Sequence, residues 1–100
     1  MRLFRWGIEP KGRETTLAMS PGCKVVAAHC GLGPNGKWWL GITVLDPCVA
    51  PHVNYTFRTF EEDGEPIPDG WTFAAAAISR IASMYVFEKV TTPDKDYDGP

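Results

Sequence analysis

The sequence predicts a single, small, antiparallel β-domain of about six or seven strands, arranged as a sandwich or a small barrel. A chain of 100 residues is enough for one domain with a modest core. Short apolar or alternating segments recur along it, and clusters of Pro, Gly and Asp separate them. Aromatic residues make up 12% of the chain, and they bury a large area per side chain.

The first two strands are predicted at residues 2–8 and 14–19, on either side of a turn at 10–12. The first segment carries three large apolar side chains, and the second is rich in Thr, which favours strands. Ser20-Pro21-Gly22 ends the second segment, because Pro presets φ and Gly accepts positive φ.

Residues 24–45 are predicted to form a β-hairpin around a glycine-rich centre. Residues 31–36 match the G-x-G-x-x-G nucleotide fingerprint, but that fingerprint requires a helix after the last glycine. Strand formers follow Gly36 instead, and Pro34 has no N–H to offer a phosphate. Asn35-Gly36 is typical of a hairpin turn. The hairpin's first strand is apolar on both faces, which predicts a central strand covered on both sides.

The second hairpin strand alternates, with Trp38, Leu40, Ile42 and Val44 on one face. A proline-rich loop at 46–52 follows it, and residues 53–60 form the clearest alternating strand. Residues 61–70 are predicted to be an acidic loop. The domain is expected to end near residue 90, and residues 91–100 are expected to form a flexible acidic tail.

Residues 71–90 allow two interpretations. Asp69 is a suitable cap for a short helix near residues 72–82, where Phe73, Ala77, Ile81 and Tyr85 fall at helical spacing. Two strands joined near Ser79 are the alternative, because residues 83–90 have strand character.

Composition excludes several classes of partner. The formal net charge is −2 and no basic stripe is present, so no nucleic-acid partner is expected. No apolar run is long enough to span a membrane, and the first residues lack the apolar core of a secretory leader. Three cysteines are an odd count, which favours reduced thiols in the cytoplasm.

Neither a metal site nor a catalytic site is expected. His29, Cys30, Cys48 and His52 lack the paired spacing of zinc ligands. A triad of Cys48 and Asp46 with either His29 or His52 has no supporting local motif. Residues 94–99 match only the first half of a calcium loop, whose bidentate Glu is missing. We therefore expect no enzyme activity and no cofactor.

Binding is the function that the side chains favour. The adjacent Trp38 and Trp39 point to opposite faces of a strand, so we expect at least one to be partly exposed. Exposed Trp near Arg is typical of binding hot spots. The candidate binding surface consists of Trp38, Trp39, Arg58, Glu61, Glu62, Asp63 and Trp71.

The chain also resembles a group of small, uncharacterised bacteriophage proteins. The resemblance rests on Leu-Phe-Arg-Trp at 3–6, Pro-Gly-Cys-Lys-Val-Val at 21–26, Trp-Leu-Gly at 39–41, Leu-Asp-Pro at 45–47, Tyr-Thr-Phe-Arg at 55–58, Gly-Glu-Pro-Ile-Pro at 64–68 and Tyr-Val-Phe-Glu at 85–88. It departs at the four consecutive alanines and at the acidic residues before Gly64. The resemblance implies a compact β-rich accessory protein, with strands at 72–78 and 83–90.

The expected function is therefore that of a small, non-enzymatic phage protein in the host cytoplasm. Its expected partner is a host or phage protein, such as a component of host defence. Two alternatives stay open: a virion or capsid decoration protein, and an oligomer that sequesters a nucleotide-like ligand. The oligomer would need a pocket at a subunit interface, for which Trp38, Arg58 and His29 are the candidate lining.

Overall fold

Seven strands and no helix are found in the computed structural model, which describes residues 1–60 and 64–91. They are β1 (Arg2–Ile8), β2 (Thr15–Met19), β3 (Lys24–Leu32), β4 (Trp38–Asp46), β5 (Val53–Thr59), β6 (Thr72–Ile78) and β7 (Ser83–Thr91). Sheet A has the antiparallel order β1-β4-β3, and sheet B has the order β2-β5-β7-β6. The predicted mainly β domain is confirmed, and its two separate sheets make it a sandwich rather than a closed barrel.

The core lies between the inner faces of the two sheets. From sheet A, Leu40, Ile42 and Val44 on the central strand β4 are almost fully buried. They alternate with outward-facing residues, as predicted from the sequence. Sheet B contributes a second apolar set, which consists of Met19, Val53, Tyr55, Phe57, Ala77, Met84 and Val86.

Residues 72–82 form strand β6 and the turn of the β6–β7 hairpin, so the helical alternative is wrong for this segment. The Ser79 N–H donates to the Ala82 carbonyl at 2.8 Å, and the Ser79 hydroxyl accepts from the Ala82 N–H at 3.1 Å. Pairing with β7 overrides the helix propensity of the alanines, because packing outweighs propensity in short segments. The small side chains let β6 lie beside β3, where the Cys30 thiol contacts the Ala77 carbonyl oxygen at 3.7 Å.

Strand β3 lies at the edge of sheet A, so the prediction of a doubly covered central strand is wrong. A β-bulge at Val26 is the physical reason that both faces look apolar. The bulge places Val25 on the inner face with Ala28 and Cys30, and it leaves Val26 half-exposed. Ala27 and His29 consequently share the outer face.

The glycine-rich segment 31–36 is a strand end and a turn, not a nucleotide loop. The Gly36 N–H donates to the Gly33 carbonyl at 3.0 Å, and the Gly33 N–H donates to the Lys37 carbonyl at 2.8 Å. The Asn35 side-chain oxygen accepts from the Lys37 N–H at 3.1 Å. Gly36 has a φ of 79°, a conformation that glycine adopts without strain.

Two loops that cross between the sheets are held together by buried polar groups. The Tyr55 hydroxyl donates to the Ser20 carbonyl at 2.9 Å and accepts from the Cys23 N–H at 3.1 Å. The Ser20 hydroxyl oxygen accepts from the Val49 N–H at 2.9 Å. The Asp46 carboxylate accepts from the Cys48 N–H at 2.7 Å. These bonds replace the water that the buried groups lose.

Candidate binding surfaces

The predicted surface residues do not form one surface. Trp38 lies partly buried against the core, whereas Trp39 is 50% exposed on the outer face of sheet A. Arg58 and Trp71 lie on the outer side of sheet B. The predicted acidic residues Glu61, Glu62 and Asp63 lie outside the described residues, as do residues 92–100 of the predicted tail.

Arg58 and Trp71 both pack on Phe60. The Arg58 guanidinium lies over the Phe60 ring, 4.4 Å from its centroid, and forms an ion pair with Glu65 at 3.6 Å. The Trp71 ring meets Phe60 edge to face, with centroids 5.8 Å apart, and the Lys89 ammonium lies 4.9 Å from the indole. These contacts hold residues 64–71 against sheet B, so both side chains have a clear structural role.

Beside this covered region, sheet B presents an apolar patch that the sequence reasoning missed. The patch consists of Phe73, Ile78 and Tyr85 on the outer face and Ile81 at the hairpin tip; they are exposed by 57%, 67%, 41% and 69%. Phe73 pairs with Phe87 across the strands, and their ring centroids are 5.6 Å apart. The helical interpretation hid the patch, because it placed Phe73, Ile81 and Tyr85 on one face with Ala77, which is buried.

The outer face of sheet A carries a shallow depression of about 540 Å³. Gly7, Gly41 and His29 lie side by side on the three strands and form one row of this face. We call the depression the glycine notch, because two neighbouring strands contribute no side chain to its floor. Trp39 borders it on one side, and Arg5 and Thr43 border it on the other.

Trp39 is positioned by Gly31, its partner on β3. A Cβ added to Gly31 would lie 2.7, 2.8 and 2.9 Å from three consecutive atoms of the indole. Nearly equal distances to three bonded ring atoms mean that the backbone of Gly31 lies under the ring face. The sequence predicts that Gly31 begins the hairpin turn, but Gly31 lies in β3, where it provides the space that the indole occupies.

The histidines and cysteines do not converge. His29 is on the outer face, whereas Cys30 is on the inner face. Among residues 1–60 and 64–91, no three His, Cys, Asp or Glu side chains are placed to hold a metal ion. Burial, together with the neighbouring Asp46, raises the pKa of the Cys23 thiol to about 11, so it is a poor nucleophile at neutral pH.

Within one chain, the structure does not bring together the three residues suggested for a ligand pocket at a subunit interface, which are Trp38, Arg58 and His29. His29 lines the glycine notch, but Trp38 faces the core, and Arg58 belongs to the other sheet. The residues that line the notch together with His29 include Trp39 and Arg5 instead. The register between β1 and β4 creates this grouping, and no local pattern reveals that register.

Comparisons with protein-family models, curated proteins and solved structures find no match to this chain. The resemblance to bacteriophage proteins therefore stays a prediction. Within the described part of the chain, there is no helix of the length and apolar character needed to cross a bilayer.

Proposed function

We propose that this chain is a non-enzymatic binding protein that docks a partner protein on the apolar patch of sheet B. The observation that supports this proposal is that four large side chains are exposed in one region of the surface: Phe73, Ile78, Ile81 and Tyr85. With each large side chain offering about 200 Å² and roughly half of it exposed, the patch measures on the order of 400 Å². Patches of this size on monomers often mark interaction sites.

The chemistry of the patch suits a partner that contributes apolar side chains. Its four exposed residues carry no charge, and Tyr85 adds a hydroxyl that can make a directional hydrogen bond. Arg80 at the hairpin tip and Lys89 beside Trp71 supply positive charge near the patch. Aromatic residues in a patch with charged neighbours are typical of an interface core and its rim.

The bacteriophage resemblance supports a host protein, such as a defence component, as this partner. The test is a quantitative pull-down from host lysate with the wild-type chain and two triple variants. The patch variant carries Phe73→Ser, Ile78→Ser and Tyr85→Ser. The control carries Leu3→Ser, Val49→Ser and Val90→Ser, which alter apolar positions of similar exposure outside the patch.

We expect one host protein to bind the wild type and the control, and to be lost from the patch variant. The interaction is then measured with the purified partner. Equal recovery by the patch variant would contradict the proposal. A wild-type dimer that the patch variant converts to a monomer would identify a second copy as the occupant instead. Finding the chain in purified phage particles by mass spectrometry would favour the virion alternative.

A further inference from the structure

We propose that the glycine notch of sheet A binds a small molecule that combines a planar aromatic ring with a negative charge, as a mononucleotide does. This site lies on the opposite sheet from the apolar patch, so it is independent of the proposed partner binding. A small-molecule site needs a concave shape, an apolar wall and a few polar groups that fix orientation. The notch has each of these.

The concave shape comes from the cross-strand row of Gly7 and Gly41. Among the described residues, apart from its chain neighbours, no atom would lie within 4 Å of a Cβ added to Gly7, so the space above this residue is open in the described structure. In the same part of the chain, a Cβ on Gly41 would approach the Trp6 carbonyl oxygen, at 3.5 Å. The volume of about 540 Å³ lies within the range of ligand pockets.

The apolar wall is the indole of Trp39. One face of the ring lies on the Gly31 backbone, which restricts its rotation, yet half of the residue remains exposed. A ring that is already held in place loses little conformational freedom when a second ring stacks on it. Stacking on Trp accepts any aromatic base, because every base has a π-face.

The polar groups favour an anion. Arg5 and His29 line the notch, and none of its described lining residues is Asp or Glu. Within residues 1–60 and 64–91, neither Arg5 nor His29 forms an ion pair. A guanidinium such as that of Arg5 binds a phosphate or carboxylate through paired N–H donors. The Thr43 hydroxyl, in the same cross-strand row as Arg5, adds a neutral donor.

The test is an NMR titration of the indole N–H signals with adenosine monophosphate. Adenosine alone and inorganic phosphate alone are separate arms, and a single-stranded oligonucleotide is a fourth. A Trp39→Phe variant assigns the Trp39 signal. We expect the nucleotide to shift this signal saturably, with weaker effects from adenosine and from phosphate, because each lacks half of the recognised chemistry.

Two variants and two matched controls localise the binding. Gly7→Val fills the open space on the floor, and Arg5→Gln removes the charge; each should weaken binding about tenfold or more. Ala18→Val also introduces a valine, at an exposed position of β2 in sheet B, and Lys11→Gln removes a charge away from the notch. Both controls should bind as the wild type does. If Gly7→Val lowers the folded fraction measured by circular dichroism, Gly7→Ala and Arg5→Gln still decide the question.

Three results would overturn the proposal. The first is no saturable shift of the Trp39 signal up to about 10 mM nucleotide, which is weaker than a specific site provides. The second is unchanged affinity in both Gly7→Val and Arg5→Gln. The third is much tighter binding of the oligonucleotide than of the mononucleotide, which would make the surface a nucleic-acid site.

Discussion

Gly31 and Trp39 should be strongly coupled in their effect on stability. Replacing Gly31 with Ala would place a methyl group 2.7–2.9 Å from three indole atoms. Carbon atoms in favourable contact lie about 3.5–4.0 Å apart, so the ring has to retreat by about 1 Å. The three atoms nearest to the added Cβ all belong to Trp39, so the perturbation acts first on the packing of its indole.

The expected magnitude follows from the burial of Trp39. Half of its surface is covered, which is on the order of 100 Å² and about 2.5 kcal/mol of transfer free energy. A retreat of about 1 Å forfeits up to half of this, about 1 kcal/mol. Displacing the indole also strains its surroundings, so the cost of overpacking is about 1–2 kcal/mol. Alanine is more favourable than glycine in a strand by about 0.5–1 kcal/mol. The net effect of Gly31→Ala is a destabilisation of about 0.5–1 kcal/mol.

Gly31→Ala should change the free energy of unfolding in the opposite direction when the indole is absent. In a Trp39→Ala background, Gly31→Ala meets no ring and should stabilise the fold by about 0.5–1 kcal/mol. The coupling energy between the two positions is then about 1–2 kcal/mol. The assay is urea denaturation followed by far-UV circular dichroism, a signal that does not depend on Trp39 alone.

Gly7→Ala is the matched control, because its Cβ would meet no described atom within 4 Å apart from its chain neighbours. It should stabilise the fold by about 0.5–1 kcal/mol in both backgrounds. The packing explanation would be refuted if Gly31→Ala changed the free energy of unfolding equally with and without Trp39. It would also be refuted if Gly31→Ala stabilised the wild type as Gly7→Ala does.

Three further predictions concern the loops. Lys11 has a φ of 63°, a left-handed conformation that Asn adopts more readily than Lys or Ala. Lys11→Asn should therefore raise the melting temperature by a few degrees, whereas Lys11→Ala should not. Equal melting temperatures of the two variants would contradict this. Hydrogen bonds from the Ser20 hydroxyl and the Cys48 N–H lower the pKa of Asp46. The ionised carboxylate thus stabilises the fold above its unfolded pKa of about 3.9 and loses this effect as the pH falls through the folded value. Asp46→Asn should therefore lower the melting temperature at pH 7, and the difference from the wild type should shrink in strong acid. A difference in melting temperature that calorimetry finds to be the same at both pH values would count against this. Burial and Asp46 raise the pKa of Cys23 to about 11, so iodoacetamide at pH 8 should modify the exposed Cys48 before Cys23. Peptide mass spectrometry measures the labelling of each thiol, and faster labelling of Cys23 would be the contrary result.

The strands themselves were largely predictable from the sequence. The alternation of residues 38–45 and 53–60 and the prolines and glycines between segments are local signals, and the observed strands begin and end close to the predicted positions. Which strands pair is a non-local property. The sequence of β3 looks central because Val26 interrupts its alternation, and a bulge cannot be distinguished from a strand buried on both faces by composition alone.

The candidate sites were harder to predict, because each depends on which residues a neighbouring strand brings alongside. Gly31 makes room for a side chain because β4 places Trp39 beside it, and Gly7 creates an opening because β4 places Gly41 next to it. An isolated glycine in a strand indicates a bulge or a close approach, but it does not say what approaches. The same residue type therefore has opposite roles on one sheet face: Gly31 makes room for an indole, whereas Gly7 leaves room unfilled. Only the register distinguishes the two, which is why Ala at one position should destabilise the fold and Ala at the other should stabilise it.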